Sequence, residues 1–221
     1  MTIAVLKMNA ESYREDFLNS LLGAEYYGAK KILRSALKEL SAEDVLLKVV
    51  TPALNLLGEK WAEKEIALTQ LYVASRITED AISKLLPLIR EYPPLKYKAV
   101  IGTISGDYHA LGKDVVIRFL RAAGVEVKDL GVSVEPEVFV EKAVEEKADL
   151  IFVSALMLHT ALRIADIAKI LREKKLSVKL VVGGAPFNFD KNLHKKLGAH
   201  AMVRNALDGI NIVKKLMEGN G

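Results

Sequence analysis

Cysteine is missing from all 221 residues, so the chain can form no disulfide and no thiolate metal site, and a reducing, cytoplasmic setting is expected. No window of spanning length is free of charge. The amino end MTIAVLKMNAESYRED turns charged after one short apolar piece, so neither a membrane-spanning helix nor a signal peptide is expected. A strong excess of one charge sign is lacking too: 32 Lys and Arg against 28 Asp and Glu leave +4, spread too evenly to argue for nucleic acid. Tryptophan occurs once, at Trp61. What remains, 51% hydrophobic and 27% charged residues with no biased segment, describes an ordinary globular protein with a sizeable core in one or two domains.

The two halves follow different patterns. From about Glu11 to Tyr92 apolar residues such as Leu46, Val49, Val50, Ala53 and Leu57 recur three or four apart, which predicts four helices. Ser41 followed by Asp44 marks a helix start and Gly58 a stop, giving a helix over 42–57 that Pro52 should kink. A further helix over 68–89 carries Leu71, Ala74, Ser75, Thr78, Ala81, Ile82 and Leu85 on one face. EYPPLKY, Glu91 to Tyr97, then breaks the helical run and sets domain limits of 1–92 and 93–221. Beyond it five strand-like runs, AVIGTI, VEVKDLG, LIFVSAL, VKLVVGG and AHAMV, alternate with five helical patterns. The fold class expected is α/β: a helical domain followed by a five-stranded parallel sheet with flanking helices, its ligand beyond the carboxyl ends of the strands.

One turn at that edge is unusual. GDYHALGKDVV, Gly106 to Val116, places Asp107, Tyr108, His109 and Gly112 where the first strand gives way to a helix. Asp107 is near enough to hold one imidazole nitrogen of His109 while the other faces outward, the arrangement found behind metal ligands. A plainer reading also stands: a polar loop whose Asp caps the helix. One imidazole cannot hold a bare metal ion, so the remaining ligands must come from elsewhere. The other strand ends are small and neutral, VSALM with Ser154 and Leu156, and VVGGAP with Gly183 and Gly184. The glycine pair reads either as an opening beside the backbone or as a tight turn before Pro186.

Together Asp107, His109 and Gly112, then Ser154 and Leu156, then Gly183 and Gly184 resemble the corrinoid-binding domain of cobalamin-dependent methionine synthase and of corrinoid methyl-carrier proteins. The spacing agrees, with 41 residues between Gly112 and Ser154 and 26 between Leu156 and Gly183. The similarity runs over about residues 10–217 and implies a flavodoxin-like fold for the second half. It implies cobalamin or a related corrinoid, methylcobalamin included, whose ring gives cobalt four nitrogens while His109 binds the metal from below. By the same resemblance Asp107 and Thr160 form a relay behind His109, Gly106, Tyr108 and Gly112 shape the loop, and Ser154, Leu156, Gly183 and Gly184 line a slot for the displaced tail. GEKWAEKEIALTQL resembles the helical cap of methyl carriers, with Trp61, Leu68 and Leu71 over the ring; without the resemblance Trp61 reads equally well as a core aromatic.

The implied function is a shuttle subunit that carries a methyl group on cobalt between a substrate methyltransferase and an acceptor methyltransferase, both of barrel type, with a reductive activator as a further partner. The cap would swing about Glu91 to Tyr97. Three features depart from the family: Leu158 stands where relatives often have a hydroxyl, His200 replaces an Asp, and His159 adds a polar group left outside the site. The alternatives are a B12-dependent sensor, a radical mutase subunit, and a flavodoxin-like protein holding FMN phosphate on TISGD.

Overall fold

The computed structural model describes residues 9–89, 95–217 and 219. The chain divides into two compact units, Met1–Arg90 and Glu91–Gly221. In the first, α1 (Ala10–Leu22) and α2 (Tyr26–Ala36) precede a long helix made of α3 (Ala42–Asp44), a π-helical segment Val45–Val50 and α4 (Thr51–Ala62); α5 (Leu68–Leu85) follows and ends in a 3-10 turn, Leu86–Leu88. The expected four helices are therefore present. Apolar faces meet in a core that includes Phe17, Leu21, Leu46, Leu57 and Leu85, all essentially inaccessible.

Ser41 starts the long helix as its sequence suggests, accepting the Asp44 N–H at 3.1 Å. Pro52 lies in the first turn of α4, directly after the π-helical segment, where the Thr51 N–H reaches back five residues to the Leu46 carbonyl. A proline has no N–H to give and crowds the carbonyl four residues earlier, and the wider π turn lets the helix continue past it.

Gly58 does not stop the helix, which runs on to Ala62. A helical glycine costs only about 1 kcal/mol, less than the packing of residues such as the buried Leu57 returns. The position is exposed, and a Cβ there would meet nothing within 4 Å. Gly58→Ala is expected to stabilise the helical unit by about 0.5–1 kcal/mol, seen as a higher urea midpoint at unchanged slope; a lower midpoint would contradict this placement. The α5 helix, for its part, stops at Leu85 rather than Ile89, because Pro87 lacks the N–H that would bond one turn back.

In the second unit the elements alternate: β1 (Lys98–Thr103), α6 (Leu111–Ala122), β2 (Glu126–Asp129), α7 (Pro136–Glu145), β3 (Leu150–Ser154), α8 (Leu158–Ala161), α9 (Ile164–Glu173), β4 (Lys179–Gly183), α10 (Ala185–Phe189), α11 (Leu193–Lys196), β5 (Ala201–Val203) and α12 (Ala206–Met217). All five strands are parallel in the order β2-β1-β3-β4-β5, the flavodoxin-like arrangement. The central strands are buried on both faces, which their unbroken apolar runs anticipate. α7 and α9 pack together, as do α6 and α12.

Two short helices add to the expected alternation: α8 precedes α9, and α10 follows directly on Gly184, where the glycine pair also reads as a tight turn before Pro186. Of the boundary stretch, Glu91 to Pro94 lie outside the described residues. Leu95 and Tyr97 are tied into the second unit by Leu95 N–H to Ala123 O at 2.7 Å and Glu126 N–H to Tyr97 O at 2.9 Å. Among the described residues no helix is long and apolar enough to cross a membrane.

Candidate functional site

Register brings the strand ends level: Thr103 pairs with Ser154, Ser154 with Gly183, and Gly183 with Val203. The loops that follow β1, β3 and β4 therefore leave from one edge. In the order 2-1-3-4-5 the crossover direction changes between β1 and β3, the place where open parallel sheets take their ligands.

Asp107 spans that switch point. Its side chain has no exposed surface, yet every contact is specific. Oδ1 accepts the His109 backbone N–H at 3.0 Å and lies 2.8 Å from His109 Nδ1. Oδ2 accepts the Leu156 N–H at 2.6 Å and a longer bond from Met157 N–H at 3.4 Å. The Thr160 hydroxyl stands 3.3 Å from the same oxygen and 2.8 Å from the Met157 carbonyl, between which it shares its one proton. Burial pushes the Asp107 carboxyl up, but the N–H groups of His109 and Leu156, with the imidazole, more than offset it and hold the carboxyl below its ordinary value. An ionised carboxylate only accepts, so the imidazole must carry its proton on Nδ1. In the neutral imidazole that leaves Nε2 with its lone pair, on a side chain 58% exposed and with no partner for that nitrogen among the described residues. The helix-cap alternative for Asp107 is not what the structure shows: α6 begins at Leu111 behind Ala110, without a side-chain cap.

The loop backbone is equally constrained. The Thr103 hydroxyl donates to the Asp107 carbonyl and accepts the Ser133 N–H at 2.9 Å, Ser133 Oγ accepts the Gly106 N–H at 3.0 Å, and Gly106 turns with φ +83°. Ser105 is bound to Glu135 and Arg163. With both hydroxyls of TISGD engaged inside the protein, the phosphate-loop reading loses its ligands.

Gly184, at φ +118°, passes so close to Ala155 that a Cβ would stand 1.9 Å from its carbonyl oxygen. Gly112 is different: a Cβ there meets nothing within 4 Å, so its own surroundings do not require glycine. Around His109 the same edge exposes Tyr108 (70%), Leu156, Met157, Leu158 and Leu162, a concentration of apolar surface that a free solvated edge would not favour. Ser154 is half-buried and makes no side-chain hydrogen bond among the described residues. Leu71 is half-buried in the helical unit, while the side chains of Trp61 and Leu68 lie outside the described residues. His159 is exposed; His200 accepts the Leu180 N–H at 3.0 Å near the amino end of β4, at the opposite edge from His109.

One residue was passed over in the sequence. Lys113 is 3% exposed, its ammonium 2.7 Å and 2.8 Å from the two oxygens of Asp129 and 2.8 Å from Asp114. Asp129 also accepts the Gly131 N–H at 2.9 Å, so the pair pins the first turn of α6 to the end of β2. The signal is a lone charge on the helical stripe Lys113, Ile117, Leu120, since a buried ammonium needs paired partners.

Among the described residues no group of three or more His, Asp or Glu could hold a bare metal ion. The arrangement suits a metal that brings most of its own ligands inside a broad apolar ring: one free imidazole nitrogen, an apolar shelf, and an uncrowded glycine beside it.

Two family models, each described as a B12 binding domain, match residues 97–213 and 13–86. Dimethylamine corrinoid protein 1 of Methanosarcina acetivorans is 31% identical over 212 residues, covering 92% of this chain and 99% of that protein. Trimethylamine corrinoid protein 2 of the same organism is 34% identical over 172 residues, 74% of this chain and 77% of its own length. The solved structure of the Methanosarcina barkeri monomethylamine corrinoid protein superimposes with a TM-score of 0.85 at 27% identity, covering 95% of this chain and all of that one.

Proposed function

The chain belongs to the family of B12-binding corrinoid proteins, and from that premise we propose that it is a methyl carrier in which His109 Nε2 is the protein's ligand to cobalt and Asp107 with Thr160 forms the relay behind it. The single observation that carries the reading is the buried Asp107, whose two oxygens join His109 Nδ1 to the Leu156 amide and the Thr160 hydroxyl across the switch point.

When bound, the corrinoid supplies a cobalt that can accept a methyl group and give it up again. The chain's residues do the rest. Asp107 keeps the proton on Nδ1 and fixes the orientation of the imidazole, so Nε2 is presented as a donor without a search over rotamers. The Thr160 hydroxyl can turn its proton between Asp107 and the Met157 carbonyl, an adjustable donor at the far end of the relay. Tyr108, Leu156 and Met157 offer apolar surface for a ring, and the backbone at Gly184 sits close against Ala155, clear of side-chain bulk. Ser154 and Gly183 line the slot for the displaced tail, and Trp61, Leu68 and Leu71 are the cap residues of this reading.

The partners are two methyltransferases, one that loads the methyl group and one that removes it, both of barrel type, with a reductive activator to restore the metal. Relatives are named for mono-, di- and trimethylamine, and a methylamine is the donor class proposed here. The test is to load the purified chain with hydroxocobalamin, reduce it, and offer each methylamine with its methyltransferase. One corrinoid per chain with its own base detached, methylated by one of the three systems, is the expected result. A chain that takes up no cobalamin sinks the reading.

A further inference from the structure

Three loops meet beside the Asp107 network in a cluster that plays no part in the relay. Ser105, 5% exposed, follows β1; Glu135 immediately precedes α7 on the loop after β2; Arg163 joins α8 to α9 after β3. The guanidinium donates to Ser105 Oγ through Nη1 and to Glu135 Oε2 at 2.8 Å through Nη2, and Ser105 Oγ donates to Glu135 Oε1. The triangle is closed.

Its attachments lead straight to the relay. Ser105 is two residues before Asp107, whose N–H is held by the Ile104 carbonyl at 2.9 Å. The Arg163 N–H donates to the Thr160 carbonyl at 3.0 Å, so the guanidinium is anchored to the same turn that carries the Thr160 hydroxyl. Val134, the neighbour of Glu135, pairs with β1 through its N–H to Thr103 O at 2.9 Å, and Ile104 bridges Val134. The Leu156 and Met157 amides that reach Asp107 Oδ2 lie on the loop between these anchors.

We propose that Glu135 and Arg163 are positioning residues: by clamping Ser105 they fix the distance between the Asp107 loop and the β3–α8 segment, and so the set of donors that Asp107 holds behind His109. Their side chains are 53% and 44% exposed, and an ion pair that open to water contributes little to global stability. A clamp retained for stability alone would be a poor use of three loops; a clamp that sets a 2.6 Å contact between Leu156 N–H and a buried carboxylate acts where small displacements matter. The functional half of the inference rests on His109 as the cobalt ligand, while the structural half does not.

The experiment follows that division. In cofactor-free protein, amide exchange read by NMR should show the Leu156 N–H exchanging about five- to tenfold faster in Arg163→Met, and by a smaller factor in Glu135→Gln, with the β3 amides from Ile151 to Val153 unchanged. In cobalamin-loaded protein reduced to Co(II), the same variants should show a smaller imidazole-coordinated fraction by electron paramagnetic resonance, and Arg163→Lys should recover part of it. Unchanged Leu156 exchange overturns the proposal, as does acceleration shared by all β3 amides, which would make the cluster merely structural. If Arg163→Met fails to fold, Glu135→Gln decides by the same criteria. A parent spectrum without imidazole coordination would instead refute the ligand role of His109 while leaving the exchange result to stand on its own.

Discussion

His109→Ala protein loaded with cobalamin and reduced to Co(II) is expected to lose the three-line splitting that an axial nitrogen imposes on the cobalt resonance. The parent should show that splitting, and protein grown with 15N-histidine should convert it to two lines, because 14N and 15N differ in nuclear spin. The isotope settles whose nitrogen is bound: a cofactor keeping its own base would stay three-lined whatever the protein's label. Affinity should fall by about 100-fold or more, since loss of a residue that only orients a ligand already costs ~10–100-fold and His109 is the ligand itself. Stability should hardly move. The ring is largely exposed, and the buried polar work around it is done by Asp107, which keeps the Leu156 and Met157 amides after the imidazole is gone. A His109→Ala protein with the parent's splitting and affinity would remove the basis for assigning the metal ligand.

The parts of this site that were legible in the sequence are those in which residue type and chemistry coincide. Asp107 and His109 are two apart on a strand-to-helix turn, and their 2.8 Å contact follows from that spacing. Five strand-like apolar runs separated by helical periods yield a parallel sheet because no hairpin turn links them. What escaped notice is carried by backbone or by distant pairing. The donors to Asp107 Oδ2 are the amides of Leu156 and Met157, and an amide has no residue signature. Gly58 failed as a stop because a local cost of about 1 kcal/mol yields to tertiary packing. α10 was missed because Gly183–Gly184 reads as a turn and Pro186 as a breaker, whereas Pro186 sits in the first turn of a helix, where its missing N–H is no loss. The Ser105–Glu135–Arg163 triangle joins residues 30 and 58 apart, and only the fold brings them together.

Gly184→Ala should do more damage than any other single methyl added at this edge. The native φ of +118° with ψ 178° is a conformation that side-chain-bearing residues hardly enter, costing about 1–3 kcal/mol by itself. The added carbon would also stand 1.9 Å from the Ala155 oxygen and 2.8 Å from its carbonyl carbon, and both belong to backbone that cannot rotate away. Ala155 precedes Leu156, so relief by shifting the β3–α8 segment would draw the Leu156 N–H away from Asp107. The substitution must therefore either strain the fold or loosen the relay. A loss of about 3 kcal/mol or more is expected, which for a chain of this length lowers the melting temperature by roughly 6–12 °C. Gly183→Ala is the matched comparison: its Cβ would lie 3.4 Å from Val203 O and 3.5 Å from Val203 Cβ, ordinary contact distances, and its φ is not in the left-handed region, so it should cost under about 1 kcal/mol. Calorimetry on the two proteins reads the difference directly. Equal melting temperatures would mean that the backbone at residue 184 can move away from Ala155 at little cost, and a close approach that is not enforced could not hold the Leu156 amide on Asp107.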